Sequence, residues 1–242
     1  MFVSFFTHFI YLPIYNALAF FVSAIPGGDV GVAIILITIV VKVVLFPLAV
    51  RASHTQIAMR ALEPELKALR ERYKNNNQEL ALKTLALYRE KKVNPFASIL
   101  VVLIQLPVIF GLYWVIWKEK SGVFDLSLLY PFVTPPDVVS FTFLGLVPIG
   151  VGSVVLAILA GVTQYYLSRL MMPAAPTATG KSFQDDLATS MHLQMRYVFP
   201  VLLGVIAYVA TAAIALYFIT SNIFGIIQEL VAQERHNKEH HA

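Results

Sequence analysis

The chain has 242 residues, of which 58% are hydrophobic and 13% are charged, and its formal net charge is +4. Together with a mean hydropathy of +0.72, this composition excludes a soluble globular domain and is typical of a polytopic membrane protein. The sequence contains no cysteine, which excludes a disulfide framework, a thiolate metal site and a lipid-modified cysteine. We expect no cofactor and no metal ion.

The N-terminal stretch, residues 1–29, is rich in phenylalanine and lacks the basic start of a signal peptide. Pro13 interrupts it, and Pro26-Gly27-Gly28 ends it. Because aromatic side chains favour the headgroup region of a bilayer, we interpret these residues as an interfacial helix and a linker. An uncleaved additional span is the alternative.

Residues 31–50, GVAIILITIVVKVVLFPLAV, predict the first membrane span, since about 20 helical residues cover the ~30 Å of bilayer hydrocarbon. Lys42 is the one cation in this span and lies nearer its C-terminal end. A charge inside a span is costly and is by default a hypothesis for a functional site. The alternative is that the lysine stem extends to the nearer interface.

Residues 52–95 are predicted to form a cytoplasmic helical hairpin after the first span. Between residues 51 and 95 there are ten basic and five acidic residues, which places this segment in the cytoplasm and the N-terminus outside. Two apolar stripes flank the turn Asn75-Asn76-Asn77: Leu62, Leu66, Leu69 and Tyr73, then Leu82, Leu85 and Tyr88. The hairpin is either a solvated connector or a docking surface for a partner. Candidate docking residues are Arg60, Glu63, Pro64, Arg70, Arg72 and Tyr73.

Further spans are predicted at about residues 97–117, 146–170, 197–210 and 211–231, which gives an all-α protein with five transmembrane helices within residues 30–242. The second span ends in Tyr113, Trp114 and Trp117, as expected at a membrane interface. Apart from Lys42, only two of the seventeen remaining basic residues face outside in this arrangement. The C-terminus is therefore cytoplasmic as well.

Several stretches together resemble a known family: ITIVVKVVLFPL, ALEPELKALRERY, ALYREKKVNP, LIQLPVIFGLYW and ALYFITSNIFGIIQ. Their order and spacing, from about Leu12 to Val231, are similar to those of the YidC family of membrane protein insertases, the YidC/Oxa/Alb group. The resemblance implies five core spans around a hydrophilic groove that is open to the cytoplasm and to lipid and closed on the outer side. Lys42 matches the groove cation of the first span, where the family more often has arginine.

The resemblance also implies roles for other positions. The substrate groove would be lined by Lys42, Thr38, Gln164, Tyr217 and Phe218. Thr38 precedes Lys42 by one helical turn and shares its face. Gln105 and Pro107 match a signature of the second span, which we assign to helix packing.

By this resemblance the protein is a membrane insertase and not an enzyme. It would accept nascent hydrophobic segments in a cationic, hydrated groove and release them laterally into the bilayer, alone or with the Sec translocon. The implied partners are nascent membrane proteins, the ribosome and the lipid bilayer, with a monomer working in the bacterial plasma (inner) membrane. Two alternatives stay open: a secondary transporter that uses the intramembrane lysine, and a folding chaperone without insertion activity.

Overall fold

The computed structural model describes residues 2–74, 76–94, 97–118, 124–171, 190 and 193–240. Within them the fold is almost entirely helical. The helices are α1 (Phe2–Phe6), α2 (Leu12–Ala24), α3 (Val30–Ala61), α4 (Glu63–Arg72), α5 (Asn77–Glu90), α6 (Ala97–Lys118), α7 (Val154–Met171), α8 (Phe199–Ala210) and α9 (Ala212–His240). The remaining elements are π-helical turns at Thr7–Tyr11 and Gln194–Val198, a 3-10 turn at Leu126–Leu128, and the paired antiparallel strands β1 (Thr142–Phe143) and β2 (Val147–Pro148). The described residues are thus mostly helical, with one minimal strand pair.

Four helical stretches are long and apolar enough to cross a membrane: Ser4–Ala24, Val30–Met59, Val154–Met171 and Ala212–Glu234. Gln194–Ala210 is a shorter apolar helix, and α6 is 22 residues long. The boundaries differ most from the predicted ones in α3, in α7 and at the end of α9, which continues past residue 231 to His240. Helix α3 continues to Ala61, because residues 48–61 contain no glycine or proline that would end it. Helix α7 begins at Val154 and not at 146, because Val147–Pro148 pairs as β2.

The chain divides into two compact units. The first comprises Met1–Val44 and Leu106–Glu229, and the second comprises Leu45–Gln105 and Leu230–Ala242. The main hydrophobic core lies within the first unit. A small separate core of Leu62, Leu66 and Leu87 lies within the second.

The N-terminal helix, α1 through α2, is part of the main core. Tyr15, Leu18 and Ala19 are completely buried there. The hydroxyl of Tyr15 accepts a hydrogen bond from the amide of Asp125 at 2.6 Å, and Asn16 bonds two backbone groups of the same loop, at 2.6 and 3.0 Å. These bonds fix α2 against the segment that follows α6. The helix was predicted as interfacial, but Ser4–Ala24 also has the length and composition of a span.

Residues 124–153 form one side of the first unit, which we call the loop side. Helices α3 and α9 both begin there, against the buried residue Ile149. A Cβ built on Gly31 would lie 2.8 Å from the side chain of Ile149, and the carbonyl of Ile149 accepts a bond from the amide of Ala213 at 3.2 Å. The amide of Ala212 donates a hydrogen bond to the carbonyl of Val151 at 2.7 Å. The loop side therefore pairs amides at the start of α9 that no helical carbonyl can reach.

Asp29 pairs the first backbone amides of α3. Its Oδ1 accepts hydrogen bonds from the amides of Gly31, at 2.7 Å, and Val32, at 3.1 Å. Its Oδ2 accepts from the amide of Leu144 at 2.7 Å. One carboxylate thus caps the helix and anchors the turn between β1 and β2.

We predict that Asp29→Ala lowers the free energy of unfolding by about 1–3 kcal/mol, since it removes a helix cap and leaves a loop amide unpaired. Asp29→Asn should lose less, because an amide oxygen can still accept from the helix. The measurement is thermal unfolding of the purified protein in lipid nanodiscs, with Asp137→Ala as the control at an exposed aspartate of the same loop. Equal melting temperatures for wild type and Asp29→Ala would show that the carboxylate anchors nothing.

The region predicted as a hairpin contains α4 and α5, which lie in the second unit. Asn76 caps α5 by accepting a bond from the amide of Glu79 at 3.1 Å; Asn75 lies outside the described residues, as do residues 95 and 96. Lys91 forms an ion pair with Glu65 at 3.0 Å, and this hydrogen bond raises the pKa of the lysine above its ordinary value. Both partners are exposed, so the pair adds little stability.

The stripe predicted for α5 is wrong. Leu82 and Leu85 are 67% and 50% exposed, whereas Leu87 is buried against Leu62 and Leu66. Leu80, Thr84, Leu87 and Tyr88 share the more protected face, at the spacing of four, seven and eight residues that marks one side of a helix. Leu82 and Leu85 lie on the other side, and their three-residue spacing alone did not identify the packed face.

We predict that Leu87→Ala speeds amide hydrogen exchange throughout α4 and α5, because truncating a buried leucine typically costs about 2–5 kcal/mol and this core has few members. Leu82→Ala makes the same chemical change at an exposed position of the same helix and should leave exchange unaltered. The measurement is hydrogen exchange followed by mass spectrometry in nanodiscs. Equal acceleration by the two variants would mean that helix propensity, and not this small core, holds the hairpin together.

Candidate functional site

The burial pattern along α3 defines where the core ends. Val30, Ala33, Ile34, Ile37 and Thr38 are all buried, and their spacing places them on one face of the helix. The next residues of that face, Val41 and Lys42, are half-buried. At the same depth Val43 is 57% exposed and points away from the core. The core therefore encloses this face of α3 from the loop side as far as Thr38 and opens at Lys42.

Lys42 lies on the side of α3 that faces the core, and not on the side that faces outward with Val43. An ammonium group inside a membrane requires water or a polar partner. A position at the open end of the core, one turn beyond the last buried residue, meets that requirement. This is the arrangement expected of a lysine that faces a recess.

Thr38, predicted to line the groove with Lys42, lies in the closed part of the core. It is 1% exposed, and its hydroxyl donates to the carbonyl of Ile34, one turn earlier, at 2.7 Å. A hydroxyl bonded to its own helix needs no further partner. Thr38 thus marks the inner limit of the opening in this structure.

Helices α7 and α9 pack side by side next to Gln164. The amide nitrogen of Asn222 donates to the carbonyl of Ala160, at 3.4 Å, and to the hydroxyl of Thr163, at 3.2 Å. One turn further along α9, a Cβ on Gly225 would lie 3.2 Å from Leu167. The third and fifth predicted spans are therefore neighbours. Gln164 itself is half-buried and donates to the hydroxyl of Ser168 at 3.2 Å.

Tyr217 and Phe218 stand at the point where α9 leaves the core. Residues 212–217 are all buried, and Tyr217 belongs to the same core cluster as Ile37 of α3. Phe218 is half-buried and meets the ring of Tyr217 edge-on, with centroids 5.6 Å apart. Both helices that begin at Ile149 thus change from enclosed to partly open after their first turns.

The signature residues of the second span both lie in α6. Pro107 is inside the helix and does not end it, and both Gln105 and Pro107 are half-buried. Toward the end of α6, Trp114 and Trp117 are exposed while Val115 and Ile116 are buried. The aromatic end of this span therefore points outward, as an interfacial belt requires.

The candidate docking residues of the hairpin have local roles in α4. Glu63 and Pro64 begin the helix, where an acid and a proline are both favourable. Arg70 and Arg72 lie in its last turn and are exposed, and the Arg72 guanidinium lies 5.7 Å from the ring of Tyr73. Arg60 lies in α3, and its side chain is outside the described part of the structure.

Sequence reasoning missed two polar residues of α9. Glu229 is buried although it lies within an apolar span, and Asn222 joins α9 to α7. An acid and an amide in an otherwise apolar stretch are the signal that would have found them. In the described residues no group of three potential metal-binding side chains occurs.

Comparison with known proteins identifies the family. Residues 20–239 match the model of the family described as 60Kd inner membrane protein. The chain belongs to this family. A relative from Fusobacterium nucleatum, named membrane protein insertase YidC, is 32% identical over 227 residues, which cover 89% of this chain and 95% of the relative. Relatives with the same name from Clostridium tetani and Oceanobacillus iheyensis are 31% and 30% identical and cover 90% and 87% of this chain, and 89% and 77% of their own lengths. The predicted membership of the YidC group is confirmed.

Chemical labelling can test whether water reaches Lys42 at the open end of the core. We predict that, in this cysteine-free chain, Lys42→Cys reacts with a water-soluble maleimide, whereas Thr38→Cys, in the closed core, does not. Val43→Cys lies at the same depth on the lipid-facing side and should also stay unreactive. The measurement is the labelling rate in sealed vesicles. Equal rates at positions 42 and 43 would mean that this depth is simply the membrane interface.

Proposed function

We propose that this protein is a membrane protein insertase of the bacterial inner membrane. It takes nascent hydrophobic segments into a cationic, hydrated recess at Lys42 and releases them laterally into the bilayer. The observation that carries the proposal is the half-buried lysine at the open end of an otherwise closed core. Membership of a family whose relatives are named insertases supports it.

The recess shortens the barrier that a polar segment has to cross. Along α3 the closed part runs from Val30 to Thr38, eight residues or about 12 Å, compared with the ~30 Å of an unperturbed bilayer. A polar or acidic stretch that enters as far as the inner limit of the recess, at Thr38, therefore has less than half of the low-dielectric path ahead of it. The ammonium group attracts carboxylates, and the attraction is stronger there than in bulk water.

The outward faces of the helices suit lateral release. Val40, Val43 and Val44 of α3 are exposed apolar residues next to Lys42. A client segment whose apolar residues gain by leaving water moves sideways into lipid along such a surface, and no covalent chemistry is needed. The process is therefore a partition between two environments, and the protein is not an enzyme.

The basic hairpin is the proposed receiving site for the ribosome. Arg70 and Arg72 are exposed at the end of α4, where they can approach ribosomal RNA electrostatically. The excess of basic residues in this segment supports a cytoplasmic hairpin, with the N-terminus outside and the C-terminus inside. We propose that the protein works as a monomer, alone or with the Sec translocon.

We predict that Lys42→Arg retains insertion and that Lys42→Glu abolishes it, because the mechanism depends on the sign of the charge. The assay uses vesicles containing the purified protein and a single-span client with an acidic translocated tail. Lys83→Glu, the same reversal at an exposed hairpin position, is the control and should behave as wild type in the absence of ribosomes.

The same assay tests the electrostatic mechanism and distinguishes an insertase from a folding chaperone. A client with a neutral tail should depend less on Lys42 than the acidic one. If the Lys42→Glu protein inserts the acidic client as well as wild type does, the electrostatic mechanism is wrong. If the wild-type protein binds the client but leaves its tail on the entry side, the protein is a folding chaperone and not an insertase.

A further inference from the structure

An apolar groove of about 670 Å³ runs between α7 and α8. It is lined by Val154, Ile158 and Val162 of α7 and by Val201, Val205 and Tyr208 of α8. Its floor is the contact between Gly161 and Gly204: a Cβ on either would lie 3.1 Å from a carbonyl oxygen of the other helix. Small residues at this contact bring the backbones together, so the larger residues on either side form the walls.

The dimensions of the groove suit a hydrocarbon chain. Its lining extends from Val154 to Tyr165 on α7 and from Tyr208 back to Tyr197 on α8, a length of about 16 Å at ~1.5 Å per residue. One leaflet of bilayer hydrocarbon is about 15 Å deep, half of the ~30 Å core. The volume divided by this length gives a mean cross-section of about 40 Å². An α-helix about 10 Å wide occupies roughly twice that area, so the groove is too narrow for a whole client helix.

The end of the groove away from the loop side is polar and cationic. The rings of Tyr165 and Tyr197 lie there with centroids 5.9 Å apart. Arg196 precedes α8, and its guanidinium carbon lies 5.9 Å from the Tyr197 ring. The Nε of Arg196 is buried and has no hydrogen-bond partner among the described residues. A buried donor of this kind is available to an acceptor that the described residues do not supply.

The backbone holds Arg196 in this position. Pro200 lacks an amide hydrogen and cannot donate to the carbonyl of Arg196, four residues earlier. The chain adopts a π-helical turn over Gln194–Val198, in which the amide of Phe199 bonds the carbonyl of Gln194. Turns of this kind inside helices often occur at functional sites. Arg169, in the last turn of α7, is a second cation at the same end of that helix pair and is exposed.

We propose that this groove binds an anionic phospholipid, with one acyl chain between α7 and α8 and the phosphate on the guanidinium of Arg196. Guanidinium groups bind phosphate oxygens through two parallel hydrogen bonds, and basic pockets between membrane helices recognise anionic headgroups. The cation at one end and the apolar channel along the rest match the two parts of a phospholipid. A free phosphate would leave the channel unused, and a neutral lipid would leave the guanidinium without an anion.

The experiment uses the full-length protein in nanodiscs of phosphatidylcholine. One sample receives a trace of phosphatidylglycerol with a photoreactive acyl chain as the anionic probe. A parallel sample receives phosphatidylcholine with the same chain as the neutral probe. The anionic probe should label peptides of α7 and α8 several-fold more than the neutral probe. Val205→Trp, which fills the groove, should remove most of this labelling. Ile206→Trp is the matched control, because Ile206 is the next residue, is similarly exposed (47% against 54%) and does not line the groove.

Arg196→Gln tests the contact with the headgroup separately and should lower labelling by the anionic probe to that by the neutral probe. Arg196→Lys should keep part of the preference for the anionic probe. Equal labelling of wild type by both probes, or labelling that Val205→Trp leaves intact, would mean ordinary boundary lipid and overturn the proposal. Displacement of the probe by a single-span client peptide that itself crosslinks at position 205 would also overturn it. Melting temperatures of all variants, measured in parallel, identify any loss that comes from unfolding.

Discussion

The structure depends on how the first amides of α3 and α9 are paired on the loop side. A helix start exposes backbone amides that have no helical partner, and unpaired amides in or near hydrocarbon are costly. Asp29 pairs those of α3, and the carbonyls of Ile149 and Val151 pair those of α9. Asp29 also accepts a hydrogen bond from the amide of Leu144, so the starts of both helices are bound to the loop side and the core is closed there.

Closure at one side and opening at the other follow from the same arrangement. The two helices are in contact with the loop side at their starts, and the face of α3 that is enclosed there becomes half-buried at Lys42. A lysine at position 34 or 38 would be buried in a packed, apolar core, where an unpaired charge is unacceptable. At position 42 the charge can be solvated from the open side. The distance of Lys42 from Ile149 is therefore as important as the charge itself.

The sequence predicted the helical class, the family and most helix positions, because hydropathy and turn residues act locally. It located α6 and the start of α9 to within one residue of residues 97–117 and 211–231. It did not distinguish which side of α5 packs, since Leu82, Leu85 and Leu87 are equally apolar and only the partner helix selects among them. Helical spacing places Thr38 on the same face of α3 as Lys42. How far the core extends along that face, however, depends on segments more than 100 residues away.

Long-range polar contacts explain why the N-terminal helix was the hardest element to interpret. Hydropathy gives Ser4–Ala24 the properties of a span, and aromatic content gives it those of an interfacial helix, so local information does not decide. Tyr15 and Asn16 bond backbone groups of residues 125–130, and a Cβ on Gly111 of α6 would lie 2.6 Å from Ile14. The middle of the helix is therefore tied to the loop side. Because these contacts lie between residues far apart in the chain, hydropathy and aromatic content do not reveal them, and the interfacial orientation of this helix stays a prediction.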